Sequence, residues 1–210
     1  TLAGWVLAPV GFLAILLSPV VGRISDRVDP RILVTISFGI FALVLFMRAH
    51  FNTNATIGTL MLPTVIQGAG MAAFFIPLVS ISLSGMAPER IPAASGLFNF
   101  ARITAGAFGT SITTTLWDRR ATLHHAQLVE HLASGDPNTA AALGTLHGGG
   151  LSSVQSYALL NRLVDSQAFM LSANDIFHVS GMLFLGLIFL VWFARRPQAA
   201  GGAAAAAGAH

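Results

Sequence analysis

The chain has 210 residues, of which 54% are hydrophobic and 9% charged, with a mean hydropathy of +0.73 and a formal net charge of +3. A soluble domain of this size needs far more charge to cover its surface. All 11 basic residues are arginines, scattered at the ends of apolar runs rather than gathered into a stripe that would bind nucleic acid, and with no cysteine there is no disulfide framework, thiol nucleophile or thiolate metal site.

The apolar runs have the length of about 20 residues that crosses a bilayer as a helix, with backbone groups paired internally. The fold class is therefore all-α integral membrane, with about five transmembrane helices. The first span covers residues 2–21, interrupted by Pro9, Gly11 and Pro19. A charged loop from Gly22 to Arg31 follows, and Asp29 before Pro30 reads as an N-cap with proline at the first helical position. The second span is 31–47, and a polar turn leads to the third, 57–84, tilted or kinked at Pro63 and Pro77. A turn at 86–92 precedes the fourth span, 93–116. Residues 117–172 are more polar and hold most of the histidines; Leu128 and Leu132 predict a partly amphipathic helix there that extends the fourth span. The last span lies within 173–197, its apolar run from Ile176 to Ala194 closed by Arg195 and Arg196, and the Ala/Gly tail at 198–210 reads as disordered.

Alternating these spans puts Arg23, Arg27, Arg31, Arg90, Arg195 and Arg196 on one side, which the positive-inside rule makes cytoplasmic, with the carboxyl terminus. The 117–172 segment then falls on the opposite, periplasmic side. The chain starts at Thr1 inside an apolar run, so residues are expected upstream.

The loop at 22–31 carries Gly22, Asp26, Arg27 and Arg31, and this spacing resembles the cytoplasmic loop motif of the major facilitator superfamily, although Asp29 and Pro30 depart from it. Physically, Gly22 would permit close helix approach, and Asp26 could accept from a helix N-terminus or an arginine as a conformational latch. An ordinary solvated loop whose arginines only set topology is the other reading. A longer succession follows: Gln67-Gly68-x-Gly70-Met71, Phe74-Phe75-Ile76-Pro77-Leu78, Pro88-Glu89-Arg90, Ala94-Ser95-Gly96, Asn99-Phe100-x-Arg102, Gly109-Thr110-Ser111 and Trp117-x-Arg119-Arg120. With Gln167 and Asp175-x-Phe177, it resembles the carboxyl-terminal region of the fourteen-span drug:proton antiporters, the EmrB/QacA-type branch of that superfamily.

The resemblance implies a secondary transporter rather than an enzyme, in a bacterial inner membrane, exporting hydrophobic drug-like substrates against protons without a cofactor. It implies that the partner of these helices is the amino-terminal half of the same chain, in the lipid bilayer. It also allows a periplasmic adaptor and an outer-membrane channel as further partners. Among the residues, Arg102 lies about 13 Å into the fourth span at ~1.5 Å per residue. It shares a helix face with Ser95 and Asn99, beside a small-residue stripe of Ala101, Ala105 and Gly109. An arginine at that depth costs at least ~2.5–3.5 kcal/mol on insertion scales, so it either faces a cavity as a gating residue or snorkels to the rim. Gln67 either contacts substrate from a bent helix or sits among glycines that only permit packing. Phe74, Phe75, Phe98 and Phe100 could receive flat apolar cations.

No carboxylate falls in the middle of a span, which leaves Asp175 as a reserve proton-coupling candidate, with a helix-start role as its alternative. His124, His125 and His131 are spaced poorly for one metal ion, so no metal site is assigned. The competing classes are a stand-alone five-span membrane scaffold or assembly subunit without transport activity, and a membrane metalloenzyme built on those histidines.

Overall fold

A computed structural model describes residues 2–25, 27–53, 55–83, 86–132 and 136–193. Six α-helices account for nearly all of them: α1 (Leu2–Ser25), α2 (Pro30–Arg48), α3 (Ile57–Leu83), α4 (Ile91–Glu130), α5 (Pro137–Gly148) and α6 (Ser153–Phe193). There is no strand among the described residues. The Asp26 position lies outside them.

Local chemistry sets the helix ends. Asp29 caps α2, its Oδ1 accepting from the Arg31 N–H at 3.0 Å, and Pro30 follows at the first helical position where no N–H is needed. Asp136 caps α5 through the Thr139 N–H at 3.2 Å, and Pro137 follows it. Gly150, with φ +89°, supplies the left-handed turn between α5 and α6.

The helices pack in the spatial order α1, α3, α2, α6, α4, with α5 against α6. α2 is central because it is apolar on two faces: Val34, Phe38 and Phe41 are buried and meet Met71 and Phe74 of α3 and Phe184 and Leu187 of α6. The rings of Phe38, Phe41, Phe74 and Phe184 lie 5.3–5.7 Å apart in tilted or edge-on contacts. Pro63 and Pro77 are fully buried within an unbroken α3. Two glycines bring helices into near-backbone contact. A Cβ on Gly68 would stand 3.0 Å from the Val10 carbonyl oxygen of α1, and one on Gly70 would stand 2.9 Å from Ile40 Cγ2 of α2. The close approach expected at Gly22 is not made within the described chain, where a Cβ would meet nothing within 4 Å.

Helices enter the 117–172 region from both ends. α4 runs on from the expected 93–116 span to Glu130, and α6 begins at Ser153, well before 173. The reason is that no glycine or proline separates Gly109 from Gly135 or Gly150 from Gly181. A rise in polarity changes what a helix faces, while only a breaker or a competing cap ends it. α4 and α6 cross-brace where Trp117 Nε1 donates to the Phe169 carbonyl at 3.1 Å and Ser172 Oγ donates to the Trp117 carbonyl at 2.6 Å. The loop after α2 is held to α6 as well, Asn174 Nδ2 donating to the Phe51 carbonyl and Gln167 Nε2 to Thr53 Oγ1, both at 2.9 Å.

Among the described residues four helices are long and apolar enough to cross a membrane: α1, α2, α3 and α6. α4 is more polar, yet its hydroxyls are spent internally. Thr110, Thr114 and Thr115 each donate to the carbonyl four residues earlier at 2.9 Å, which removes the need for water.

Candidate functional site

Three polar constellations interrupt the apolar packing. The first joins α2 to α3. Arg48, in the last turn of α2, donates from Nη2 to Gln67 Oε1 at 2.7 Å and, more weakly, toward Thr64 Oγ1 at 3.5 Å. Both side chains line a cavity of about 270 Å³ whose walls include Phe41, Met71, Phe74 and Phe184. The Gln67 amide oxygen is occupied by the guanidinium.

The second is the polar stripe of α4. Arg102 Nη2 donates to Asn99 Oδ1 at 3.0 Å, and the pair shares a cavity of about 320 Å³ with Ser95, Phe75, Val79 and Phe98. Arg102 is exposed on this chain, and no carboxylate among the described residues pairs with it.

The third bridges α4 and α6. Asp175 Oδ2 accepts from Arg120 Nε at 3.1 Å and lies 2.7 Å from His124 Nε2. Arg120 and Asp175 also line a cavity of about 450 Å³ walled by Ile112, Leu116, Val179 and Leu183. His125, pointing to the other flank, lies 3.3 Å from Asp165 Oδ1. The adjacent histidines therefore serve different carboxylates, and no group of three or more His, Asp or Glu side chains among the described residues is arranged to hold a metal ion.

In the 22–31 loop, Arg27 is exposed in a tight turn and Arg31 is buried in the first turn of α2. The carboxylate that would complete a latch, Asp26, lies outside the described residues, so the four positions are not brought together here.

The sequence model of the Major Facilitator Superfamily matches residues 1–119, more than half of the chain. The chain belongs to the major facilitator superfamily. This superfamily member is 44% identical over 211 residues to the Multidrug export protein EmrB of Escherichia coli K12, covering 100% of the chain and 41% of that protein. It is 43% identical to the EmrB protein of Haemophilus influenzae, covering 94% of the chain and 39% of the relative. To the Fatty acid resistance protein FarB of Neisseria gonorrhoeae it is 39% identical, with 95% and 39% covered. The chain thus spans about two fifths of the length of the curated relatives it matches, and corresponds to the carboxyl-terminal part of EmrB. No solved structure matches it at a significant level.

Two arginines of this superfamily member, Arg48 and Arg120, carry no site role in the sequence reading. Nothing local in the sequence singles out Arg48, because its partner Gln67 is 19 residues away on the next helix. Arg120 and His124 converge on Asp175; their i, i+4 spacing on one helix face was the available signal.

Proposed function

We propose that this chain supplies the carboxyl-terminal helices of a proton-driven multidrug efflux antiporter of the EmrB/QacA type. The observation that carries the reading is the 44% identity to a multidrug export protein along the entire chain. The Arg48–Gln67 and Asp175 constellations are consistent with it, since half-buried polar groups between apolar helices mark substrate and ion routes in transporters. The substrates are hydrophobic, drug-like amphiphiles; the name of the gonococcal relative extends them to fatty acids. Transport proceeds by alternating access, with the amino-terminal half of the protein as the moving partner.

Within this reading Arg102, steadied by Asn99, lines the route on α4, and Gln67 lines it on α3. Gly22, Asp26, Arg27 and Arg31 form the latch between conformations. Asp175 is a coupling carboxylate candidate through its contacts with Arg120 and His124. The protein sits in a bacterial inner membrane with its carboxyl terminus in the cytoplasm and works with a periplasmic adaptor and outer-membrane channel. No observation favours the scaffold alternative.

The test is dye and drug efflux from a pump-deficient strain expressing the full-length protein. Protonophore-sensitive efflux above the empty vector is expected, and Arg102→Ala is expected to abolish it at unchanged expression. Efflux no greater than vector overturns the transport reading; normal efflux by Arg102→Ala removes Arg102 from the route.

A further inference from the structure

The Arg48 cavity has an unusual composition: apolar walls around one fixed cation. A guanidinium offers five N–H donors in a rigid fork. Here one goes to Gln67 Oε1 at 2.7 Å, with a marginal second contact to Thr64 Oγ1 at 3.5 Å, and among the described residues no carboxylate lies within ion-pair distance of it. The end of α2 is closed by backbone instead, the Ala49 N–H donating to the Leu45 carbonyl and the His50 N–H to the Met47 carbonyl. A half-buried charge without a counter-ion is costly, and the fork geometry matches an anion that can accept two parallel N–H bonds.

The cavity's size limits what can sit beside that charge. At about 270 Å³ it exceeds the roughly 150 Å³ that accommodates benzene in an apolar interior, but it is small for a lipid with two acyl chains. Its walls, Phe41, Met71, Phe74 and Phe184, are apolar, and Met71 is deformable enough to follow different shapes. A cationic ligand is disfavoured by Arg48 itself.

We propose that this cavity binds a single-tailed amphiphilic anion, its carboxylate paired with Arg48 beside the Gln67 amide and its apolar body among Phe41, Met71, Phe74 and Phe184. This deepens the efflux reading by giving the chain a recognition site for acidic amphiphiles, and it rests on that reading for the meaning of binding, though not for its detection. Gln67 is the positioning residue, because its amide oxygen fixes one edge of the guanidinium and leaves the rest of the fork for the ligand.

The experiment is a fluorescence titration of the purified full-length protein in zwitterionic nanodiscs with 11-(dansylamino)undecanoic acid, alongside the methyl ester of the same probe. The acid is expected to bind more tightly than the ester. Arg48→Gln is expected to cost the acid about tenfold or more in affinity while leaving the ester unchanged, and Arg48→Lys, which keeps the charge but not the fork, to fall between wild type and Arg48→Gln. Equal acid affinity in wild type and Arg48→Gln overturns the proposal. So does an equal loss of acid and ester in both variants, which would make Arg48 a structural clamp. Adding phosphatidylglycerol separates the remaining source of anions: if it displaces the acid only when Arg48 is present, the site belongs to a lipid headgroup and the proposal fails. Binding is read without transport, so its failure is distinct from a failure of efflux.

Discussion

The contact between α1 and α3 is set by the absence of one methyl group, which makes Gly68→Ala a sharp perturbation. A Cβ there would lie 3.0 Å from the Val10 carbonyl oxygen and from Leu13 Cβ, and 3.2 Å from Val10 Cα. Two of these three atoms are backbone, so no rotamer change relieves the clash and α1 as a whole must retreat by a few tenths of an ångström. Overpacking of this kind costs about 1–3 kcal/mol, set against a helix-propensity gain of about 1 kcal/mol for alanine over glycine. Gly39→Ala is the matched control: it lies within α2, and its new Cβ would meet nothing within 4 Å. The propensity term cancels between the two variants, leaving a gap of about 1–3 kcal/mol. At roughly 2–4 °C per kcal/mol for a chain of this size, Gly68→Ala should melt on the order of 2–12 °C below Gly39→Ala. The assay is size-exclusion of fluorescently tagged protein after stepwise heating in detergent. A Gly68→Ala midpoint at or above that of Gly39→Ala would refute the packing argument.

The α4–α6 seam supports four further tests. Trp117→Phe keeps the ring edge-on to Phe169 but loses the N–H donated to the Phe169 carbonyl, and should cost about 0.5–1.5 kcal/mol in the same melting assay. Ser172→Val places extra volume where the side chain is fully buried and removes the bond to the Trp117 carbonyl; its loss should exceed that of Trp117→Phe, and an equal or smaller loss would mean the seam is loosely packed. Arg120→Gln should leave the melting midpoint within about 1 kcal/mol of wild type, because its ion pair with Asp175 is half exposed. Asp175→Asn should reduce protonophore-sensitive efflux while the melting midpoint stays within the same margin; undiminished efflux removes Asp175 from coupling.

Different parts of this architecture were legible to different degrees. The start of α2 could be read because its cap is local: Asp29 and Pro30 carry the whole signal within two residues. The Asn99–Arg102 pair was visible for a similar reason, since a helix brings positions three and four apart onto one face. The run of α4 past Leu116 is legible in Leu128 and Leu132 and in the lack of a breaker after Gly109. The early start of α6 at Ser153 is not, because the polarity of 153–172 reads as loop although polarity does not end a helix. Arg48 was passed over because its partners lie on another helix, and only packing of α2 on α3 reveals that its guanidinium lines a cavity. Periodicity reports which face of a helix is apolar; it carries no information about which helix will cover it.

The unbroken course of α4 also has a mechanical meaning. A helix of 40 residues is a stiff rod about 60 Å long, and the arm from its middle to Glu130 measures about 30 Å. With no proline or glycine beyond Gly109 to absorb a bend, a tilt of about 10° at the middle sweeps the far end through roughly 5 Å. Because α6 is braced to α4 at Trp117 and Ser172 and carries α5, the two helices and their tip swing as one lever. Any rocking of the membrane-embedded half is therefore delivered, amplified, to whatever rests against that tip.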